Sequence, residues 1–283
     1  MTITVRRGGR ELAPDLIGPL HAWVQAAPLT ANLHSGDLGW HLRGSDETLA
    51  DAFLLWEDDG ERLAVGLAED TVLRTAVAPA RDRDGALAEA MTEVMADFDY
   101  VDALSGTAAR RRLLERGWST DADPWVLLYT DLSQRDRHLD DAGSRPLDGP
   151  DDVAARVALQ RSAFAPGSSF SAELWTQMTT GPTYDGRFEM VTWTPTGEPA
   201  AAATGWYAGP GRCAILEPVG THQDYQRQGY GRRVNRAVMA ALASAGASGV
   251  RVHTPASNAA AVATYESCGL RQVDWTTAVK APR

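Results

Sequence analysis

A turn with two spaced glycines, between a short apolar run and an amphipathic stretch, constrains the fold of this chain most strongly. The apolar run, Cys213–Leu216, is typical of a strand. After the turn, apolar residues recur at helical spacing and predict a helix whose core-facing residues are Val234, Ala237, Val238, Ala241, Leu242 and Ala245. Gly229 and Gly231 let a ligand approach the backbone, and the helix start offers unpaired N–H groups at its positive end. The stretch therefore predicts an anion site suited to a pyrophosphate.

A second stretch downstream adds another strand and another helix. Val250–His253 alternates like a strand. Ser257 is a suitable N-cap for a helix that begins at Asn258, and Gly269 suits the C′ position after that helix. Asn258 and Tyr265 share one helix face and lie about 10 Å apart along the axis. The strand and helix thus predict two polar side chains on the face of one helix.

The two stretches together resemble the two sequence motifs of the GCN5-related N-acetyltransferases (GNATs). Residues 226–231 are similar to Gln/Arg-x-x-Gly-x-Gly/Ala, and residues 258–270 to Asn-x-x-Ala-x-x-x-Tyr-x-x-x-Gly-Phe. The sequence departs from the family at Gln223, where proline is usual, and at Leu270, where phenylalanine is usual. The resemblance implies an α/β (α+β) fold, with a mixed, mostly antiparallel central sheet flanked by helices.

The resemblance also implies which residues bind acetyl-coenzyme A (acetyl-CoA) and which act on it. The first motif and the strand edge before it would hold the cosubstrate with the second helix, through Val219, Gly220, Thr221, Gln226, Arg227, Gln228, Gly229, Tyr230, Gly231, Arg232, Asn258 and Tyr265. Tyr265 would protonate the leaving thiolate, with core packing as its alternative role. Glu217, nine residues before Gln226, would deprotonate the amine through water, with His222 as a rival base. No metal is expected.

The length of 283 residues accommodates two cores, and the predicted elements of the first half follow the same order as those of the second. In this interpretation the strand Trp125–Thr130 closes the first lobe. The polar segment that follows predicts a linker over 136–150. We therefore expect a tandem protein with one GNAT-like lobe over 1–135 and a catalytic GNAT domain over 151–283.

The first lobe lacks the residues that would bind the cofactor. Its counterpart of the turn, Val77–Leu87, has no pair of spaced glycines and carries Asp82 and Asp84, whose charges would repel a phosphate. Leu113 stands where the second half has Tyr265. We therefore expect a degenerate first lobe, with cofactor binding in the second lobe alone.

Charge is divided unevenly between the halves. Residues 1–140 hold 25 Asp and Glu against 14 Arg, whereas residues 141–283 hold 12 against 13 basic residues. A net charge of −10 with a single lysine, Lys280, excludes the basic face that nucleic-acid binding requires. The acidity either keeps the protein soluble or attracts a cationic substrate. The second of these interpretations predicts a positively charged substrate.

Other features concern the compartment. No apolar run approaches the roughly 20 residues that span a bilayer, and the N-terminus has no secretory h-region. Cys213 and Cys268 form neither a disulfide framework nor a metal pattern. A cytoplasmic protein without membrane or nucleic-acid partners is expected, and its oligomeric state is open.

These observations predict an N-acetyltransferase that moves acetyl from acetyl-CoA to a small cationic primary amine by direct attack in the C-terminal lobe. The alternative is a non-catalytic regulator that binds acyl-CoA, in which Glu217 and Tyr265 are bystanders. Nine tryptophans are many for this length. Among them Trp175, Trp193 and Trp206 either line the acceptor cleft or pack in the core.

Overall fold

The computed structural model describes residues 2–26, 32–133 and 143–282. Its helices are α1 Ala13–Ala26, α2 Ser35–His41, α3 Asp46–Leu49, α4 Gly85–Met95, α5 Ala108–Glu115, α6 Pro150–Ala163, α7 Ala172–Thr179, α8 Tyr230–Ser244 and α9 Ala259–Ser267. Its strands are β1 Thr4–Gly8, β2 Phe53–Asp58, β3 Glu61–Glu69, β4 Val72–Val77, β5 Tyr100–Asp102, β6 Ser119–Thr120, β7 Trp125–Asp131, β8 Ser144–Pro146, β9 Glu189–Trp193, β10 Pro199–Trp206, β11 Cys213–Thr221, β12 Gly249–Pro255, β13 Arg271–Thr276 and β14 Val279–Lys280.

The strands form two sheets of seven with the same internal order. The first sheet runs β1-β2-β3-β4-β5-β14-β6 and the second runs β8-β9-β10-β11-β12-β7-β13. In each sheet the fourth and fifth strands are parallel, and the other neighbours are antiparallel. Helices flank both sheets. The predicted α/β fold of two lobes with mixed, mostly antiparallel sheets is confirmed.

Each sheet takes its sixth strand from the other half of the chain. Val279 on β14 pairs with Val101 on β5 and with Thr120 on β6, inside the first sheet. In return, β7 pairs along its length with β12 and also with β13, inside the second sheet. The side chains of Val126 and Leu128 therefore enter the core of the second lobe.

The assignment of Trp125–Thr130 to the first lobe was wrong. The strand itself exists, but an alternating pattern fixes only the faces of a strand and not the sheet that it joins. A division of the chain at residue 135 therefore does not follow the two sheets. Of the predicted linker 136–150, residues 136–142 lie outside the described residues, Ser144–Pro146 form β8, and Pro150 opens α6.

Local signals account for several elements. Asp59 and Gly60 have φ values of 47° and 80°, which is the left-handed pair that a tight β2–β3 hairpin turn requires. Gly269, with φ of 89°, follows α9 as predicted. The helix α8 packs Val234, Val238 and Leu242 into the second core as predicted, whereas the predicted Ala237, Ala241 and Ala245 are only partly buried against it. The other buried residues of the helix are Tyr230, Asn235, Met239, Ala240 and Ala243.

Helix α2 joins the two lobes. A Cβ at Gly36 would lie 2.4 Å from the side chain of Trp206, and one at Gly39 would lie 2.4 Å from the same ring. Only glycine fits at both positions, because the helix backbone lies directly against β10 of the second lobe. This contact places the next residue of the helix, Asp37, beside β11.

Candidate active site

The parallel strands β11 and β12 separate part-way along the second sheet. Their pairing ends at Ile215 and Arg251, although β11 continues to Thr221 and β12 to Pro255. On the other side of β11, a register shift leaves residues 217–218 opposite a single residue of β10. Such a bulge re-aims a side chain, and here it lies at Glu217. Trp206 Nε1 donates a hydrogen bond of 2.5 Å to the carbonyl oxygen of Glu217 and fixes the bulge.

The opening between the two strands leads into a cavity of about 560 Å³, which we call the wedge cavity. Four residues singled out from the sequence line it: Glu217, Val219, Asn258 and Tyr265. Tyr265 is buried, and its burial raises the pKa of the phenol, so the hydroxyl keeps its proton at neutral pH. A protonated phenol at this position is able to donate a proton.

The start of α9 differs by one residue from the prediction. Asn258, rather than Ser257, is the N-cap, and its Oδ1 accepts a hydrogen bond of 3.1 Å from the N–H of Ala261. The helix therefore begins at Ala259. Asn258 still faces the wedge cavity while it caps the helix.

The glycine turn lies on the surface before α8. Arg227 and Gly229 have φ values of 61° and 84°, and Gly229 is the N-cap residue of α8, which therefore has no side-chain cap. The exposed residues of the turn are Gln226, Arg227, Gln228, Gly229 and Arg232. The ring of Tyr230 is buried in the core, so only its backbone faces the turn. An uncapped helix start with left-handed residues before it presents N–H groups suited to a phosphate.

Of the three remaining positions predicted to contact the cofactor, Gly220 and Thr221 lie at the end of β11 and Gly231 lies in the first turn of α8. A Cβ at Gly220 would lie 2.7 Å from the side chain of Ala163 on α6, and one at Gly231 would lie 3.0 Å from Oγ1 of Thr221. These glycines let α6 and the start of α8 lie close to β11. Of the residues predicted to contact the cofactor, Val219, Asn258 and Tyr265 therefore line the wedge cavity, and the others lie at the end of β11, in the turn and at the start of α8.

A second cavity of about 720 Å³ lies between the lobes, and we call it the inter-lobe cavity. Its lining contains the carboxyl groups of six residues, which are Asp37, Glu69, Asp70, Asp102, Asp121 and Glu217. Among the described residues that line it, Arg74 is the one arginine. His253 also lines it, and burial together with nearby Arg251 lowers the pKa of His253 to about 3, so the imidazole is neutral. The cavity therefore has a strong excess of negative charge.

The two cavities meet at a shared set of residues. Trp125, Leu216, Glu217 and His253 line both. Glu217 is the acidic member of this set. A group in the wedge cavity and a group in the inter-lobe cavity would therefore approach each other beside the carboxyl of Glu217.

The carboxyl of Glu217 lies in an unusual environment. Burial and then the neighbouring Asp37 raise the pKa of Glu217 to about 8, although Arg74 and Arg43 oppose that shift. Within the described part of the chain, its Oε2 is buried without a hydrogen-bond partner. A carboxyl with this pKa changes its protonation near neutral pH, as a general base must.

Asp37 is held by groups of the first lobe. Its Oδ1 accepts a hydrogen bond of 2.7 Å from Arg74 Nη2, and its Oδ2 accepts one of 2.6 Å from the N–H of His34. Burial opposes the ionisation of Asp37, but Arg74, His34 and their hydrogen bonds lower its pKa to about 2. The carboxylate of Asp37 thus stays ionised beside Glu217.

The rival base and the three tryptophans line neither of the two cavities. His222 Nδ1 accepts a hydrogen bond of 3.3 Å from the N–H of Asp224, and His222 lines neither cavity. Trp175 and Trp206 belong to a core beneath α7, and Trp193 packs against a core beneath α6. None of these three lines the wedge or inter-lobe cavity among the described residues.

Sequence reasoning missed the residues that the first lobe contributes. Asp37, Arg43 and Arg74 come from parts of the chain without a recognisable motif, and α2 was not predicted at all. A signal existed in residues 34–37, where His34 and Asp37 form a capping box with histidine in the place usual for serine or threonine. Trp125 was predicted in a strand, but its place at both cavities depends on the exchange of β7.

The first lobe has closed the equivalent opening in its own sheet. Between the ends of β4 and β5 remains a cavity of about 10 Å³, and Thr75 Oγ1 donates a hydrogen bond of 3.2 Å to the carbonyl oxygen of Asp102. At the start of α4, Oδ1 of Asp84 accepts hydrogen bonds from the N–H groups of Ala86 and Leu87. A carboxylate thus occupies the helix start that an anion would need, and Leu113 is buried.

Comparison with known proteins agrees with this geometry. Residues 159–270 match the model of the acetyltransferase (GNAT) family. The region 159–270 is therefore a GNAT-family domain. The match covers β9 to β12, the glycine turn and α9. It therefore contains both sequence motifs and all the residues predicted to bind the cofactor or to act on it. No curated protein matches the sequence.

Solved GNAT structures share the fold over nearly the whole chain. A GCN5-related N-acetyltransferase from Sphaerobacter thermophilus is 17% identical with a TM-score of 0.60, over 99% of this chain and 95% of that one. An acetyltransferase of the GNAT family from Colwellia psychrerythraea is 14% identical with a TM-score of 0.63, over 99% of both chains. A tandem GNAT protein from the clavulanic acid biosynthesis pathway is 16% identical with a TM-score of 0.57, over 99% of this chain and 98% of that one. Both lobes therefore have the GNAT arrangement.

The described residues offer neither a metal site nor a membrane-spanning helix. Over 2–26, 32–133 and 143–282, no group of three or more His, Cys, Asp or Glu side chains is arranged to hold a metal ion. No helix in the described part of the chain combines the length and apolar character that crossing a membrane requires. Cys213 and Cys268 are buried free thiols.

Proposed function

We propose that this GNAT protein transfers the acetyl group of acetyl-CoA to a primary amine in its C-terminal lobe, and that the acceptor is a small cationic amine. One observation carries the proposal. Glu217 lies where the wedge cavity meets the acidic inter-lobe cavity, with a pKa near the pH at which a base must work. A cosubstrate from one side and an acceptor from the other would meet there.

The residues of the second lobe suit acetyl-CoA. The uncapped start of α8 would take the pyrophosphate, and the edge of β11 beyond Ile215, which β12 leaves unpaired, would take the pantetheine. Asn258 and Tyr265 would line the path of the thioester. When bound, acetyl-CoA supplies an acetyl group that is activated as a thioester. The first lobe, with its closed opening and Asp84 at the helix start, would bind none.

Two proton transfers would accompany the new bond. The acceptor attacks as the neutral amine, after its ammonium form has released one proton to solvent. The nitrogen then loses a second proton as it bonds to the acetyl carbon, and Glu217 is placed to accept that proton, directly or through water. The sulfur that leaves the acetyl carbon must gain a proton, and the buried, protonated phenol of Tyr265 is placed to donate it. Both groups lie on the wedge cavity, so no covalent intermediate on the protein is needed.

The charge of the inter-lobe cavity favours a cationic acceptor. Most amines are protonated at neutral pH, and a cleft lined by carboxylates raises the local concentration of cations. Asp70 and Asp121 lie on this cavity and form no ion pair with any described side chain. Their charges are therefore available to an incoming ammonium group.

Release of free thiol from acetyl-CoA, measured over a panel of primary amines of different charge, tests this function. We expect turnover with a subset of the cationic amines, and an acetylated product in the mass spectrum. Little turnover is expected with anionic amines of the same size. Calorimetric binding of acetyl-CoA without turnover on any amine would contradict the enzyme and favour a regulator that binds acyl-CoA.

A further inference from the structure

We propose that the first lobe completes the proton-accepting site: Asp37 is a positioning residue that shares one proton with Glu217, and Arg74 holds Asp37 in place. This inference rests on the proposed function, because Glu217 is the proposed base. It gives the degenerate lobe a role in the reaction, and it makes the site incomplete without residues from both halves of the chain.

The position of Asp37 is fixed from three directions. Arg74 Nη2 and the N–H of His34 each bind one of its carboxylate oxygens, at 2.7 Å and 2.6 Å. Its side chain is 1% exposed, and Gly36 before it lies against Trp206 of the second lobe. These contacts hold the carboxylate beside β11.

The carboxyl of Glu217 lies on the same cavity as the fixed carboxylate of Asp37. Both side chains line the inter-lobe cavity where α2 packs against β11, and Oε2 of Glu217 is buried without a donor among the described residues. Both groups are acceptors only when ionised. Two neighbouring carboxylates in a buried site do not both ionise near neutral pH, because their like charges repel each other there. One proton between them satisfies both, and Asp37, which has Arg74 beside it, is the member that stays ionised.

The other charged or titratable groups that face Glu217 do not replace this proton. From the first lobe, Arg43 faces it, but that guanidinium lies 4.0 Å over the ring of Trp40 and forms no ion pair with Glu217 in the described structure. From β12, His253 is neutral because burial and Arg251 lower its pKa. From α9, Tyr265 is an uncharged phenol. Within the described residues, the Glu217–Asp37 pair therefore depends on Arg74 for its closest countercharge.

The shared proton has a consequence for the reaction. An ammonium group that enters the inter-lobe cavity adds positive charge beside the pair, and this favours loss of the shared proton to solvent through the cavity. Glu217 then becomes an ionised base when a cationic acceptor is present. A neutral molecule of the same shape would not cause this change.

The pH dependence of kcat/KM in two variants tests the proposal. The profile of the parent should rise with pH as Glu217 ionises. In D37N the like charge is gone and Arg74 remains, so the rising limb should move to lower pH by about 1–3 units. In R74Q the countercharge is gone, so the limb should move to higher pH. The amine ionises identically in every assay, so differences between profiles report on the enzyme.

A matched control is D152N. Asp152 is also a buried aspartate paired with an arginine, Arg145, but it lines neither cavity. Its removal should leave the limb in place even if it lowers thermal stability. The proposal would be overturned if the rising limb of the kcat/KM profile stays at the parent's pH in both D37N and R74Q. It would also be overturned if the limb moves in the same direction in both variants.

Infrared spectroscopy tests the shared proton without any turnover. The parent protein should show the carbonyl band of a protonated carboxyl at pH 7, and that band should be lost by pH 10 and be absent at both pH values from E217Q. No such band in the parent would overturn the proton sharing, whatever amines are acetylated. Its presence in a protein that acetylates no amine would contradict the proposed function and leave the shared proton established.

Discussion

The imidazole Nε2 of His34 donates a hydrogen bond of 3.0 Å to the carbonyl oxygen of Cys213. This bond ties the N-cap of α2, in the first lobe, to the first residue of β11, the strand that carries Glu217. The Nδ1 of the same ring accepts a hydrogen bond of 2.9 Å from the N–H of Gly36, and burial lowers the pKa of His34 to about 3. His34, neutral and with both ring nitrogens hydrogen-bonded, thus fixes the first lobe beside the candidate site.

The exchange of β7 and β14 predicts that the two halves fold only together. If residues 1–133 and 143–283 are produced separately, we expect neither to unfold cooperatively, because each sheet then lacks its sixth strand and exposes the edges beside it. Produced in the same cells, the two should form a one-to-one complex. Size-exclusion chromatography and thermal unfolding would show this, with the intact chain as the reference. A cooperative transition in either half alone would contradict the prediction.

The glycine turn predicts that an added Cβ at Gly229 weakens binding of acetyl-CoA. A backbone N–H bonded to a charged group contributes about 1.5–3 kcal/mol, so loss of one such contact in G229A should weaken binding about 10–100-fold. Titration calorimetry should also give one site per parent chain, because Asp84 caps the equivalent helix of the first lobe.

G211A is the matched control for that variant. Gly211 also has a left-handed φ, of 72°, and a Cβ at either glycine would meet no atom within 4 Å. The two variants therefore carry the same backbone strain and should lose similar stability. Equal affinity in G229A and G211A would show that the turn does not contact the cosubstrate.

Tyr265→Phe should reduce kcat by about 10²–10⁴-fold, because it removes only the proton that the leaving thiolate requires. Affinity for acetyl-CoA should change little, since the ring and its packing remain. Tyr225→Phe is the control, because Tyr225 packs against Tyr230 by the turn and does not line the wedge cavity. Turnover of Tyr265→Phe equal to that of the control would assign Tyr265 to packing.

The raised pKa of Glu217 predicts an effect of pH on stability. The folded protein holds a proton on Glu217 up to about pH 8, whereas the unfolded chain releases it near the ordinary value of 4.5. The folded state therefore binds more protons between these values, and the contribution of Glu217 to stability falls as pH rises through that window. In thermal unfolding, E217Q should gain stability relative to the parent at pH 9 and little at pH 4.

Glu198→Gln should change the pH dependence of stability in the opposite direction. Hydrogen bonds from Thr194 and Thr196 lower the pKa of Glu198, so its contribution to stability is present above the unfolded pKa and is lost as pH falls. E198Q should therefore be less stable than the parent at pH 9. If the stabilities of the parent and E217Q change with pH in parallel, this would contradict the buried, protonated state of Glu217.

The sequence predicted the parts of the site that depend on local pattern. The turn at Gly229, the helix with Tyr265 and the position of Glu217, the proposed base, each lie in a short stretch whose spacing carries its own geometry. The degenerate character of the first lobe was also visible, since Asp84 and Leu113 stand where the second lobe has the turn and the phenol.

The strands and side chains that one half of the chain contributes to the other lobe were not predictable in the same way. Strand β14 has two residues and no pattern, and its partners Val101 and Thr120 are more than 150 positions away. The position of Asp37 beside Glu217 depends on Gly36 lying against Trp206, which is a packing relation between distant segments. Periodicity reports the faces of an element and not its neighbours.

The inter-lobe cavity, as the route of a cationic amine to Glu217, is tested most directly by the salt dependence of kcat/KM with the best amine found. Screening shortens to about 8 Å at physiological ionic strength, so kcat/KM should fall and KM should rise as salt is added. The double variant D70N/D121N should flatten this dependence. D51N/D59N should keep it, because Asp51 and Asp59 are exposed on the first lobe but line neither cavity. A flat profile in the parent, or a preference for an anionic acceptor, would contradict this route and leave the first lobe without a role in capturing the amine.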